Sequence, residues 1–171
     1  LSRAFGYRLS EMAGSSVGVM VSDNGFVLSV DNEVNVNVKK LLKSVSSENI
    51  DEILHKAISN TELFRRKFRQ VAARSFMILR NYKGHSISVG KQQFNSDLLV
   101  KVVQKVENFP LLKEAYREIL QDYMDTSAAK DFLRKVESGE CRFLVLARSN
   151  VPSPFSFKML AWGSSDVILM E

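Results

Sequence analysis

The chain is nearly devoid of sulfur chemistry: Cys141 is its one cysteine among 171 residues, and His55 and His85 are its two histidines. One thiol excludes an intrachain disulfide framework and a multi-cysteine zinc site. With so few imidazoles, any metal chemistry would fall to carboxylates. Proline is scarce as well, at three residues, and no low-complexity tract, repeat or flexible linker interrupts the pattern. No apolar run approaches the roughly eighteen residues that a bilayer span needs, and no layout of basic start, apolar stretch and small-residue cleavage site is present. These readings predict no membrane partner and a reducing, cytoplasmic setting.

What is present is an ordinary globular composition, 45% hydrophobic and 25% charged. The length suits a single domain over residues 1–171, able to bury roughly 70% of its unfolded surface. The chain starts at Leu1 and stops inside the apolar run "DVILME", which reads as a cut strand. The expectation is a piece of a longer polypeptide.

Leu1, Phe5, Leu9 and Met12 share a helical face, with Gly14 placed as a C-cap. "VGVMVSDNGFVLSV" alternates around Asn24-Gly25, a strong hairpin signal because both residues tolerate positive φ. "VNVNV" (Val34 to Val38) predicts a further strand before a short helix at Lys39 to Val45. "NIDE" and "SNTE" match capping boxes, predicting helices over 50–58 and 60–79. Three more are predicted near 96–107, 111–124 and 127–138. "CRFLVLA", "FSFKMLAW" and "DVILM" read as strands. The class is therefore α+β: an N-terminal helix and β-hairpin, a central part of about five helices, and C-terminal strands placed to join the hairpin in one sheet.

Charge is unevenly distributed. The whole chain carries +5, yet Leu63 to Ser96 holds eight lysines and arginines and no acid, so the remainder sums to −3. On a wheel of the 60–80 helix, Phe64, Phe68, Val71, Ala72, Ser75, Ile78 and Leu79 form an apolar stripe. Arg65, Arg66, Arg69 and Arg80 fall beside it, and Lys67 and Arg74 lie on the opposite flank. Such a face can be solvated and paired to acids. Glu114, Glu118 and Asp122, recurring every four residues, are the natural partners, but three carboxylates leave five cations unmatched. Arginine's planar fork suits phosphate, and Lys83 and Lys91 continue the charge among Tyr82, His85 and Phe94. The pattern points to nucleic acid. The bland alternative is a module docking acidic protein surfaces.

Chemistry of its own is missing. "GHSISVGKQ" fails as a phosphate-binding loop, because five residues separate Gly84 from Gly90 where four are needed, and Gln92 replaces the magnesium-binding hydroxyl. A capping or hairpin loop explains it better. The ladder Glu114, Glu118, Asp122, with Asp125 beyond, would serve a metal-dependent hydrolase, but reads better as a paired helix face. No catalytic constellation is found.

Three separated stretches carry a resemblance: "LFRRKFRQVAARSFMILRNYKG" (63–84), "FPLLKEAYREILQDYMD" (109–125) and "VPSPFSFKMLAWGSSDVILME" (151–171). In order and spacing they resemble the DEAD/H-associated accessory region that follows the motor domains of large helicase-related (Lhr-like) superfamily 2 helicases, the archaeal ones especially. The resemblance implies a parent ATP-dependent helicase moving 3′ to 5′ on single-stranded DNA and opening duplexes and RNA–DNA hybrids. ATP and magnesium are implied for its motor domains; no cofactor is implied for this chain, which lacks the Walker loop and the DEXH box. The region's implied role is to pack on the motor in cis and close part of the strand channel. Read together, residues and resemblance make Arg65, Arg66, Arg69, Arg80 and Lys83 phosphate-facing, with Arg74 and Lys91 as further candidates and Tyr82 as a base-stacking candidate.

Overall fold

Ala4, Phe5 and Leu9 are buried on one face of α1 (Ser2–Ala13), where the ring of Phe5 stacks on Phe26 with centroids 6.1 Å apart. Gly14 ends the helix in the left-handed region at φ 64, its N–H donating to the Ser10 carbonyl at 2.9 Å, as its position in the sequence predicts. The structure, a computed structural model, describes residues 1–30, 36–162 and 166–168. The chain divides into two compact units, one of residues 1–57 with 128–171 and one of residues 58–127. No helix among the described residues is long and apolar enough to cross a membrane.

The first unit holds the antiparallel hairpin of β1 (Val17–Ser22) and β2 (Gly25–Val30), with Ser22 opposite Gly25. The loop is therefore Asp23-Asn24, one residue before the expected Asn24-Gly25. This register sets Val21 opposite Phe26, whereas a turn centred one residue later would have put Asp23 there. On the other edge of β1 lies β5 (Asp166–Ile168), antiparallel, giving the order β2-β1-β5. The class is α+β, and a C-terminal strand does join the hairpin.

Other expectations for this unit fail for local reasons. Of "VNVNV", Val34 and Asn35 lie outside the described residues, and Asn37 instead caps α2 (Val38–Lys43), its side-chain oxygen accepting from the Lys40 N–H at 3.1 Å. Asn49 does not form a capping box with Glu52 but accepts from the Ser46 N–H at 2.8 Å ahead of α3 (Ile50–Ser59). "FSFKMLAW" is a helix, α8 (Pro154–Trp162). Pro154 suits a first helical turn, and the Ser153 hydroxyl accepts from the Ser156 N–H; the cap overrides the alternation. "CRFLVLA" pairs with neither described sheet, leaving Leu144 and Leu146 exposed. The backbone N–H and the hydroxyl of Ser47 both donate to Glu137 of α7 (Thr126–Glu137) at 2.7 Å.

The second unit is built on α4 (Glu62–Arg74). Thr61 starts it by accepting from the Phe64 N–H at 3.3 Å, later than the expected Asn60. Phe64, Phe68, Val71 and Ala72 are buried, as the wheel predicts, and Ile78 is buried beyond the helix, but Ser75 and Leu79 of the predicted stripe are exposed because α4 ends before them. The first four face α5 (Val89–Val103), α6 (Pro110–Arg117) and a π-helical continuation over Glu118–Tyr123. The Phe64 and Tyr116 rings meet at 4.7 Å. The expected helix to Leu79 stops instead at Ser75. Phe76, at φ 56, donates its N–H to Ala73, and Met77 donates to Ala72, which together make a Schellman end with phenylalanine where glycine is usual. Between α4 and α5 stands a hairpin of β3 (Asn81–Tyr82) and β4 (His85–Ser86). α5 begins well before the expected 96, because Gly90 lies in its first turn rather than in a loop.

Two substitutions test this account of α4. Phe68→Ala should cost about 3–5 kcal/mol, as a lowered urea midpoint, because the fully buried ring leaves a cavity. Phe76→Gly should stabilise the fold by roughly 0.5–1 kcal/mol, read as a raised urea midpoint: left-handed backbone costs a side chain about 1–2 kcal/mol, part of which glycine's chain entropy offsets.

Candidate nucleic-acid interface

With the phenylalanines of α4 turned inward, 3.6 residues per turn fix where its cations go. Arg65, Arg66 and Arg69 fall within an arc of about 100°. Arg65 and Arg66 are exposed and Arg69 half-buried. None of the three has an ion pair or side-chain hydrogen bond to a described residue. Lys67 and Arg74 point to the opposite flank, as the wheel predicts, and there both reach Glu118. Arg74 pairs directly with one carboxylate oxygen, and Lys67 Nζ lies 3.5 Å from the other. Glu118 is only 7% exposed, so the pair of cations offsets the cost of burying its charge. Of the sequence-predicted residues, Arg74 is thus the one already committed to an acid.

The acidic ladder expected to neutralise the basic helix splits. Of the three, Glu118 is the one that forms an ion pair with α4 among the described residues. Arg117 draws in the other two, bonding Glu114 through Nε at 2.9 Å and Asp122 through Nη1 at 3.0 Å. The reach to a residue five further on follows from the π-helical turn, whose bonds run i to i+5 and bring such residues onto one side. Arg117 holds the Glu114 carboxyl below the usual glutamate range, mainly through this hydrogen bond. The described residues contain no group of three or more histidine, cysteine, aspartate or glutamate side chains placed to hold a metal.

Past α4 the cations continue on the hairpin. Tyr82 and His85 pair across its two strands, and the two-residue loop between them, Lys83-Gly84, has both residues at positive φ, 49 and 80. That is the mirror-image turn that matches strand twist. "GHSISVGKQ" therefore supplies half a hairpin and the start of α5, not a phosphate loop. Arg80, Tyr82, Lys83 and Lys91 are all exposed, and Lys91 sits in the first turn of α5. The three cations likewise lack an ion pair with any described residue. Six of the eight positive charges thus remain without a described acid, all within the second unit. Sequence reasoning missed Phe76, which is 83% exposed. A longer helix would already set it about 120° from Phe64, between Arg65 and Arg69, so its outward side was legible in the sequence and the left-handed stop was not.

The chain matches the family described as DEAD/H associated over residues 1–156. Over its whole length it is 44% identical to the ATP-dependent helicase Lhr-Core of Saccharolobus solfataricus, and 42% identical to the ATP-dependent helicase Lhr-Core protein 2 of Thermococcus barophilus; each match covers 20% of the relative. It is 26% identical to the Lhr helicase/uracil glycosylase of Escherichia coli, over 90% of this chain and 10% of that one. Among solved structures, the Mycobacterium smegmatis helicase Lhr bound to ssDNA and AMP-PNP aligns with a TM-score of 0.71 at 28% identity, covering 93% of this chain and 20% of that one. The chain therefore spans about a fifth of the length of the archaeal relatives it matches.

Two measurements check the electrostatics. Glu118→Gln should destabilise the chain by roughly 1–3 kcal/mol in urea, because Arg74 and half-buried Lys67 lose their anion. In a carboxyl NMR titration, Glu114 should titrate below an ordinary glutamate and return toward it in Arg117→Ala. Since the folded value is the lowered one, this ion pair stabilises the fold above the ordinary glutamate range. The contribution is lost as pH falls through the lowered folded value.

Proposed function

Because the chain belongs to the DEAD/H-associated family, we propose that it is an accessory domain of an ATP-dependent helicase that holds a single strand by its phosphates. It would also pack on the motor domains in cis. The observation that carries this reading is the separation of charge on α4 and the hairpin. The two cations of one flank share Glu118, while Arg65, Arg66, Arg69, Arg80, Lys83 and Lys91 keep their charge for something outside the described fold. Phosphate contacts position a strand without reading its sequence, which is what a motor tracking any sequence requires. Tyr82, exposed beside Lys83, supplies a stacking surface. The names of the relatives, ATP-dependent helicases, support ATP as a cofactor of the motor domains; magnesium beside it and a cytoplasmic setting are part of the same proposal. The ssDNA in the Mycobacterium smegmatis structure supports single-stranded DNA as the ligand, and an RNA–DNA hybrid is a second candidate.

A scaffold role without nucleic acid is the second reading, favoured by an exposed apolar stripe on α5. Phe94, Leu98 and Val102 recur every four residues there and are open to solvent.

Salt titration separates the two. For the 171-residue chain on single-stranded DNA, log K should fall linearly with log salt, by about 0.7 per phosphate contact. Arg65→Ala with Arg66→Ala should flatten the slope by roughly 1.4 in total. No binding at low salt, alongside tight association with isolated motor domains, would replace the first reading with the second.

A further inference from the structure

Between Arg80 and Ile87 the chain forms a narrow prong. The Ile87 N–H donates to the Arg80 carbonyl at 2.8 Å at its base, buried Ile78 precedes one strand, and the Gln92 amide donates to the Ile87 carbonyl at 2.7 Å after the other. Its tip is a mirror-image turn with little conformational freedom. The prong is thus fixed at both feet and exposed along its length, a shape suited to contact by its end.

The chemistry of that end is specific. Tyr82 is 57% exposed, and Lys83 Nζ lies over its ring, 5.5 Å from the centroid. One ring face is therefore occupied by a cation. A ring threaded into a continuous strand needs two free faces, one for each neighbouring base; a ring with one free face stacks on a single plane. His85 stands directly across the ladder from Tyr82, so the two side chains lie on the same side of the ribbon. Two adjacent rings make a platform wider than one base, closer to the width of a base pair. Arg80 and Lys83 flank it, placed for the phosphates on either side.

Resting on the strand-holding role above, we propose that this tip recognises the terminal base pair at a junction where a single strand leaves a duplex. Tyr82 and His85 cap the pair while α4 holds the departing strand. The preferred ligand is then a duplex with a single-stranded overhang, ahead of either a blunt duplex or a strand alone.

The test compares three fluorescent DNA probes with the 171-residue chain at one salt concentration: a single strand, a blunt hairpin duplex, and that duplex carrying the same strand as an overhang. A stacked base contributes roughly 1–3 kcal/mol, so the overhang probe should bind at least about fivefold tighter than the strand alone. Tyr82→Ala should abolish that ratio, and His85→Ala, which removes the other half of the platform at a residue outside the strand-holding set, should lower it and leave single-strand affinity within about twofold. Lys83→Asn installs the Asn-Gly pair that such turns favour, so the prong persists while the cation leaves and the second ring face opens; the ratio should fall toward one. Circular dichroism of each variant checks the fold. Equal affinity for overhang and strand overturns the proposal, as does an equal loss on all three probes in Tyr82→Ala. Those results leave the strand-holding role intact, whereas failure to bind any probe overturns both.

Discussion

Burial of Phe64 and Phe68 fixes the rotation of α4 about its own axis, and the fate of each cation on the helix follows from that rotation. Once these rings face α5 and α6, Lys67 and Arg74 have to emerge on the side where the π-helix places Glu118. Arg65, Arg66 and Arg69 have to emerge on the other. Hydrophobic burial is non-directional in its energy, but on a helix it sets direction for everything else the helix carries. The basic surface is a by-product of the core.

The acids show the same logic from the opposite side. Three carboxylates at four-residue spacing would form one ladder on a regular helix. The widened turn after Arg117 divides them, so that Glu118 is buried against α4 while Glu114 and Asp122 close around Arg117 at the surface. An unbroken ladder facing α4 would have cancelled more of its charge. A local change in helix type thus decides how much positive potential survives, which is why π-helical turns so often accompany functional surfaces.

Backbone strain marks the path from helix to prong. Phe76 and Lys83 both hold positive φ, a conformation costly for a side chain, on either side of Arg80. The first ends α4 and the second turns the hairpin, so the cationic run bends twice within a few residues. Phe76, exposed at a position where glycine is usual, carries this strain with no burial to offset it.

Periodicity, composition and short-range chemistry were enough to give the α+β class, α1 with its Gly14 cap, the first hairpin, the inward stripe of α4, its two charged flanks and the family resemblance. These are legible because each depends on residues within a few positions of one another. The sequence misled where two local signals competed, as at "FSFKMLAW", where a Ser-Pro start outweighed alternation, and at Gly90, which looks like punctuation but lies within α5. Tertiary structure alone decided that Glu118 takes Arg74 and Lys67 and that "CRFLVLA" finds no strand partner among the described residues. Those outcomes depend on which distant surfaces meet. An ion pair or a strand register is a property of two segments at once, and neither segment read by itself contains it.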